Sequence, residues 1–165
     1  MKNIVLIGMP GSGKSSFGRM LAKRLRMDFY DADEILEQRE NRTIKDFFAE
    51  SEEAFRLAET RTAKYLASLK NAIIATGGGV IKREENISLL GYNGLIIFID
   101  RSPEEIIGDI ADDSRPLLAE DKQKIFTLYN ERIELYRKYA DYIVKNTDFN
   151  STLDRLIDIS REKGR

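Results

Sequence analysis

The stretch GMPGSGKSS, residues 8–16, decides how the rest of the chain is interpreted. It fits the pattern G-x-x-x-x-G-K-[ST], with Gly8, Gly13, Lys14 and Ser15 in the fixed positions. Its glycines allow successive backbone N–H groups to point at an anion, and the helix that follows adds free N–H groups and the positive end of its dipole. A glycine-rich turn between a strand and a helix is the alternative. The apolar run before the stretch and the amphipathic pattern after it favour a phosphate-binding loop.

Two side chains in this loop indicate what bound phosphates would meet. Lys14 would reach the β- and γ-phosphates of a nucleotide, and the Ser15 hydroxyl would bind Mg²⁺. The pattern does not say which nucleotide is bound or which molecule accepts a phosphate, so those answers must come from other residues.

Composition narrows the class of protein. The chain has 165 residues, of which 42% are hydrophobic and 33% charged, as expected for one globular domain with its own core. The longest apolar run, residues 95–99, is too short to span a membrane, and the net charge of −1 argues against nucleic acid as a partner. The chain opens directly into an apolar run, so we expect no signal peptide and a cytoplasmic protein.

The chain contains neither histidine nor cysteine. General acid–base work therefore falls to carboxylates, because the usual imidazole and thiolate groups are missing. A bound metal would be a hard cation held by oxygen, such as Mg²⁺.

Strand-like runs alternate with helical patterns along the whole chain. Strands are predicted at 3–8, 28–31, 72–76, 95–100 and 142–145, and helices at 13–26, 33–41, 43–69, 83–90, 102–111, 120–140 and 151–163. This alternation is typical of βαβ units and predicts an α/β domain, with a parallel sheet covered by helices on both faces. Ligands of such sheets gather at the carboxyl ends of the strands.

Two aspartates end the second strand-like run. Asp31 and Asp33 are two residues apart, so in an extended chain their side chains point the same way. One carboxylate could hold Mg²⁺, and the other could accept a hydrogen bond from a hydroxyl about to be phosphorylated. The alternative is that Asp33 only caps the next helix. Asp100 is a rival metal ligand, but the sequence SPEE at 102–105 is a helix start and favours a structural Asp100.

A run of three glycines, Gly77 to Gly79, follows the apolar run AIIA. Consecutive glycines indicate backbone that comes close to another group, although a wide turn would also explain them. Because the run lies at the carboxyl end of a strand, we expect its N–H groups to contact a substrate.

Two arginines lie in unusual surroundings. Arg132 interrupts the apolar stripe of the helix at 120–140, where a guanidinium must either pair with a core carboxylate or snorkel, or else face a cleft and bind an anion. Glu59, one turn after Arg56, could orient Arg56 toward an anionic ligand. From this stretch alone an ordinary surface pair is the favoured interpretation. Two arginines placed in this way would suit a substrate carboxylate, which a guanidinium binds bidentately.

The segment 109–120, DIADDSRPLLAE, is a candidate lid. Phosphoryl-transfer enzymes need a closing segment that excludes water and brings positive charge to the transferring phosphate. Arg115 would carry that charge, and a plain helix–helix connection is the alternative.

These motifs, in this order, resemble the shikimate kinase family along the whole chain. The matching stretches are GMPGSGKSS, DADEILEQR, Phe55-Arg56 with Glu59, ATGGGV, RPLL at 115–118 and ERIELYRKYAD around Arg132. The resemblance implies a P-loop kinase fold of the nucleoside-monophosphate-kinase type, with a five-stranded parallel sheet in the order 2-3-1-4-5. It also implies transfer of the γ-phosphate of ATP to the 3-hydroxyl of shikimate, a step of aromatic amino-acid biosynthesis.

The resemblance further implies roles for individual residues. ATP would be bound by Gly11, Ser12, Gly13, Lys14, Ser15, Ser16 and Arg115, shikimate by Asp33, Arg56, Gly78 and Arg132, and Mg²⁺ by Ser15 and Asp31. Lys14, Asp33 and Arg115 would be catalytic. We expect one domain over 1–165, with a shikimate-binding segment at about 33–61 and the lid at about 109–120. We also expect a monomer whose partners are ATP and shikimate, with Mg²⁺ as cofactor.

One position departs from the family pattern. Related kinases often carry an arginine about seven residues before the lid arginine, stacked on adenine, and this chain has Gly108 there. Many also have a proline on the other side of the base, where this chain has Asn150 or Ser151. ATP affinity would then rest mainly on the phosphates, and base selectivity would be loose.

Two other functions compete with this interpretation. A related kinase could use another small acceptor, such as gluconate or a nucleoside monophosphate, but Asp33, Arg56, the glycine run and Arg132 together suit a compact polyhydroxy acid. A GTPase switch would need an N-K-x-D motif, which the chain lacks. A non-catalytic nucleotide binder would need neither the aspartate pair nor an arginine in an apolar stripe.

Overall fold

The computed structural model describes residues 1–112 and 119–165. Within them, five strands form one parallel sheet in the order β2-β3-β1-β4-β5. The strands are β1 (Asn3–Ile7), β2 (Asp28–Asp31), β3 (Ala72–Ala75), β4 (Gly94–Asp100) and β5 (Tyr142–Lys145). Each predicted strand is present to within one residue at either end. The α/β class and the strand order implied by the resemblance are both confirmed.

Helices connect the strands and cover the sheet. They are α1 (Lys14–Leu25), α2 (Ala32–Glu40), α3 (Ile44–Glu50), α4 (Glu52–Ala67), α5 (Glu84–Tyr92), α6 (Pro103–Asp112), α7 (Ala119–Tyr139) and α8 (Phe149–Lys163). A short 3-10 helix at Val80–Lys82, directly after the glycine run, was not predicted. None of the helices in the described ranges is long and apolar enough to cross a membrane.

Alternate residues of the central strand face opposite layers of helices. On β1, Ile4 and Leu6 belong to the core cluster that contains Phe17 of α1 and Leu156 of α8. Val5 and Ile7 belong to the cluster formed with α4, α5 and α7. Because successive side chains point to opposite faces, burial on both faces explains why the inner strands β1, β3 and β4 are nearly continuous apolar runs.

The single helix predicted over 43–69 is wrong, because the chain breaks at Ser51. This residue has an extended backbone, with φ −170° and ψ 158°, and its hydroxyl accepts a hydrogen bond from the Ala54 N–H at 3.0 Å. Ser51 therefore caps α4, and α3 ends beside it. The break lets Phe47 of α3 pack with Phe55 of α4 in a small separate core cluster, which holds the turn of α4 that carries the next residue, Arg56.

Candidate active site

The phosphate loop joins β1 to α1 at the middle of the carboxyl edge of the sheet. Gly13, which precedes α1, has a left-handed φ of 101°, and a Cβ there would lie 2.9 Å from the Phe17 ring, so only glycine fits without strain. The loop lines a cleft of about 330 Å³, together with residues that follow β2 and β3. This is the switch point of the strand order, where ligands of open parallel sheets bind.

Most of the predicted ATP-binding residues face this cleft. Its walls include Gly11, Gly13, Lys14, Ser15 and Ser16. Ser12 is fully buried instead, and its N–H donates to the Met9 carbonyl at 3.0 Å. A direct contact between Ser12 and ATP therefore stays a prediction.

The Lys14 ammonium is folded onto the phosphate loop itself. Its Nζ donates to the carbonyl oxygens of Gly8 at 2.8 Å and Met9 at 2.9 Å, and the residue is buried. Burial lowers the pKa of Lys14 to about 8, although the nearby Asp33 and Asp31 carboxylates oppose the shift. A bound phosphate could take the place of the two carbonyl partners without a large movement of the side chain.

The cap of α2 is Asp31, so the alternative interpretation that Asp33 caps this helix is wrong. Asp31 Oδ1 accepts hydrogen bonds from the N–H groups of Asp33 at 3.0 Å and Glu34 at 3.3 Å. Asp33 therefore lies in the first turn of α2, and the two residues do not share an extended strand. They still line the same cleft, because the helix begins between them.

A pair of oxygen atoms suited to a hard cation lies at the rim of the cleft. Ser15 Oγ donates a hydrogen bond to Asp31 Oδ2 at 2.8 Å, so a hydroxyl and a carboxylate meet beside the phosphate loop. Oxygen ligands of this kind are those that Mg²⁺ prefers. The residues present therefore fit the predicted metal ligands.

Asp33 is crowded by a second carboxylate. A Cβ built on Gly77 would lie 3.1 Å from Asp33 Oδ1 and 3.3 Å from Glu59 Oε2, so both acids press against this glycine. Burial and the neighbouring Asp31 raise the pKa of Asp33, while Lys14 opposes the rise. A carboxylate whose pKa is raised is a better proton acceptor than an exposed one.

The pair of Arg56 and Glu59 is buried, so the interpretation as a surface pair is wrong. Arg56 Nη1 donates to Glu59 Oε1 at 2.9 Å, and only 10% and 9% of the two side chains is exposed. Burial raises the pKa of Glu59, which Arg56 counteracts. A Cβ on Gly79 would lie 2.8 Å from Arg56 Cζ, so the guanidinium packs against the glycine backbone. The pattern of one helix could not show that the glycine run covers it.

Arg132 reaches the same glycine run from α7. It is 9% exposed, and a Cβ on Gly78 would lie 3.3 Å from its Nη1. Its Nε is buried without a hydrogen-bond partner, and none of the ion pairs formed within 1–112 and 119–165 includes it. The prediction of a guanidinium inside an apolar stripe is confirmed, and no core carboxylate within those ranges neutralises it.

Two residues that position the site were not predicted as part of it. The Tyr136 hydroxyl donates to the Gly78 carbonyl at 2.5 Å, and the Asn146 amide donates to the Ser12 carbonyl at 3.0 Å. Tyr136 lies one turn after Arg132 on the same face of α7, so its place beside that arginine could have identified it. Asn146 follows β5, so the rule that ligands gather at strand ends could have identified it.

The predicted residues on the β4 side have mixed outcomes. Asp100 accepts a hydrogen bond from the Tyr129 hydroxyl at 3.1 Å, and the Ser102 hydroxyl accepts one from the Glu105 N–H at 3.2 Å, as expected of a structural aspartate followed by a helix cap. No atom of the described residues lies within 4 Å of a Cβ placed on Gly108. Arg115 and the rest of 113–118, the middle of the predicted lid, lie outside the described residues.

Comparisons with known proteins agree on one family. The family model for shikimate kinase matches residues 10–159. A shikimate kinase of Clostridium beijerinckii is 48% identical over 88% of this chain and 87% of its own length. One from Clostridium botulinum (strain Eklund 17B / Type B) is 46% identical over 95% of this chain and 94% of its own length.

A solved structure has the same fold and is described with its substrate. It is shikimate kinase from Acinetobacter baumannii in complex with shikimate, which is 32% identical to this chain. It superposes with a TM-score of 0.85 over 100% of this chain and 96% of its own. The family match, the identities and the shared fold lead to one conclusion: this chain belongs to the shikimate kinase family.

Proposed function

We propose that this protein transfers the γ-phosphate of ATP to the 3-hydroxyl of shikimate, giving shikimate 3-phosphate and ADP for aromatic amino-acid biosynthesis. The observation that carries the proposal is the pair of buried arginines against the glycine run. Arg56 and Arg132 reach neighbouring glycines at the edge of the phosphate cleft, and Arg132 Nε has no hydrogen-bond partner within 1–112 and 119–165. An acceptor with a carboxylate would satisfy that guanidinium.

The acceptor is bound between α2, α4, α7 and the glycine run. Arg56 and Arg132 bind the shikimate carboxylate, and Glu59 holds Arg56 in place through the 2.9 Å hydrogen bond. Gly78 contributes its backbone, since Pro10 and Arg132 leave no space for a side chain there. The segment at about 33–61 thus supplies Asp33, Arg56 and Glu59 of the acceptor site.

Asp33 accepts the hydrogen bond of the 3-hydroxyl. The hydroxyl proton passes to an Asp33 oxygen while the hydroxyl oxygen bonds to the γ-phosphorus and the bond from that phosphorus to ADP breaks. The raised pKa of Asp33 suits this role. Phosphoryl transfer depends mainly on positioning and on charge stabilisation, so orientation of the hydroxyl is the larger part of the contribution.

The phosphate loop and the lid carry the positive charge on the other side of the reaction. Lys14 exchanges the Gly8 and Met9 carbonyls for the β- and γ-phosphates when ATP binds. Arg115, on the segment at 109–120, closes over the transferring phosphate and excludes water.

Ser15 Oγ and Asp31 would hold Mg²⁺, directly or through water. When bound, the ion neutralises charge on the β- and γ-phosphates. The 2.8 Å contact between these two oxygens supports this assignment. We further propose that the protein acts as a single-domain monomer in the cytoplasm, with ATP and shikimate as its partners.

The test is a coupled assay of ADP release with ATP, Mg²⁺ and a panel of small hydroxy acids. We expect release that depends on shikimate, while gluconate and the methyl ester of shikimate, which lacks the carboxylate charge, support little. Release with gluconate but not with shikimate would refute the proposal. Release with the ester at the shikimate rate would refute the role given to the two arginines.

A further inference from the structure

The aromatic ring of Phe149 lies near the phosphate loop. It has no role in the site described above. Its ring stacks on that of Phe17, with centroids 4.8 Å apart and planes at 11°, and the residue is 44% exposed. Phe17 in turn lies directly beneath Gly13, whose Cβ would be 2.9 Å from that ring. Two stacked rings therefore extend outward from the phosphate loop, and the outer ring is open to a ligand.

The chain before Phe149 is fixed to the phosphate loop. The Asn146 amide donates to the Ser12 carbonyl at 3.0 Å. Asp148 then caps α8 by accepting a hydrogen bond from the Ser151 N–H at 2.9 Å, which sets Phe149 as the first residue of the helix. The position of this ring relative to bound phosphates is therefore defined before any nucleotide arrives.

The direction of phosphoryl transfer, which rests on the proposed function, places the nucleoside on the same side of the phosphate loop as Phe149. The attacking and leaving oxygens lie roughly in line through the γ-phosphorus. The acceptor residues follow β2 and β3, on one side of β1. The leaving ADP must then extend over β4 and β5, which lie on the other side of β1.

Three other described positions on the β4 side are less suited to a base. Gly108 has no side chain to offer. Arg101 donates to the Gly11 carbonyl at 2.9 Å and pairs with Asp109, so its guanidinium is held against the loop. The Tyr129 hydroxyl is bonded to Asp100.

We propose that the base of the nucleotide stacks on the exposed face of the Phe149 ring. Every nucleobase has a π face, so an aromatic platform binds bases with little regard to their edge groups. Phe149 thus supplies base affinity where Gly108 supplies none, and it does so without selecting adenine over guanine.

The test compares Phe149→Leu with wild type in titration calorimetry, without shikimate, using MgATP, MgGTP and magnesium tripolyphosphate. Leucine keeps an apolar group on Phe17 but removes the stacking face. We expect the dissociation constants of ATP and GTP to rise by about tenfold each, and that of tripolyphosphate, which has no base, to stay unchanged. Phe149→Tyr should retain wild-type affinity for both nucleotides.

Phe48→Leu is the matched control, because Phe48 is 46% exposed and also stacks on a buried phenylalanine, Phe55. It should leave all three constants unchanged. Equal weakening of tripolyphosphate and ATP by Phe149→Leu would show that Phe149 acts only through the loop, and unchanged nucleotide constants would show that the base lies elsewhere. Either result overturns the proposal. The calorimetric titrations contain no acceptor. The assignment of shikimate as the acceptor could therefore be refuted while this inference still holds.

Discussion

The buried cations of the phosphate loop and of the acceptor side of the cleft differ in their hydrogen bonding. Lys14 has its ammonium satisfied by the Gly8 and Met9 carbonyls of its own loop. Arg132 carries a buried Nε with no partner among the described residues. A buried polar group left unpaired costs free energy of folding, so the unpaired Arg132 Nε destabilises the free enzyme in a way that the hydrogen-bonded Lys14 ammonium does not. The comparison indicates that Arg132 is retained for a ligand, since its buried Nε has no partner among the described residues.

The largest effect should follow from removing the cation of the phosphate loop. Lys14→Ala deletes the charge that meets the phosphates, and we expect turnover to fall by about a thousandfold or more while the fold survives. An assay of ADP release measures the turnover, and a thermal melt shows whether the fold survives. Lys23→Ala, an exposed lysine on the same helix, should retain wild-type turnover. A near-native rate for Lys14→Ala would refute the phosphate-loop assignment.

The next largest effect should come from the acceptor side. Asp33→Asn keeps the shape but cannot accept a proton or carry charge, so kcat should fall by about 10²–10⁴-fold. Steady-state kinetics with ATP and shikimate varied separately measure the change, and the exposed Asp154→Asn serves as control. If only the KM for ATP changed, Asp33 would be a nucleotide contact and the division of the cleft into two sides would be incorrect.

The lowered pKa of Lys14 gives a pH-dependent test. Below a pH of about 8 the lysine is charged in the free enzyme, and above it kcat/KM for ATP should fall by about tenfold per pH unit. The free energy of unfolding should change in the opposite direction and increase with pH. The folded pKa of about 8 lies below the ordinary value of 10.5, so the unfolded chain binds more protons between these values and the free energy of unfolding rises with pH.

Denaturant titrations of wild type and Lys14→Met at several pH values measure this predicted rise in the free energy of unfolding. Wild type should gain about 3 kcal/mol more than Lys14→Met between pH 8 and 10.5, since one pKa unit corresponds to about 1.4 kcal/mol. An identical pH dependence in the two proteins would show that Lys14 is not the buried, titrating group.

The smallest effect concerns the base. Because residue 108 is a glycine, no side chain at this position clamps adenine, so GTP should support the reaction within about tenfold of ATP. Initial rates with the two nucleotides at matched Mg²⁺ provide the ratio. A preference for ATP of about a thousandfold would mean that a residue on the nucleotide side reads the edge of the base.

The sequence predicted those parts of the molecule that are encoded locally. The strands were predicted to within a residue because runs such as LIIFI are apolar on both faces. Arg132 could be found because its neighbours on one helix reveal the stripe that it interrupts. The phosphate loop could be found because its glycine spacing meets a backbone requirement, as the φ of 101° at Gly13 shows.

The parts that were missed depend on contacts between distant segments. Helical periodicity continues through Ser51, and the break there is stabilised by the Ser51 cap of α4 together with the packing of Phe47 on Phe55. The pair of Arg56 and Glu59 has the spacing of a surface pair, and it is buried because residues twenty positions later cover it. The cap of α2 was missed for a different reason: Asp31 and Asp33 are both aspartates, so residue type alone could not show which of them caps the helix.

Arg132→Met tests the central claim, that a buried charge is kept unpaired for the substrate. Methionine retains an apolar chain of similar reach without the guanidinium. Thermal melts of wild type, Arg132→Met and the exposed control Arg155→Met, each with and without shikimate, provide both readouts. We predict that Arg132→Met is at least as stable as wild type without ligand and loses most of the stabilisation by shikimate, whose affinity falls by about 2–5 kcal/mol. Destabilisation by about 3–5 kcal/mol with unchanged shikimate binding would contradict the claim, because that is the result of breaking a structural ion pair.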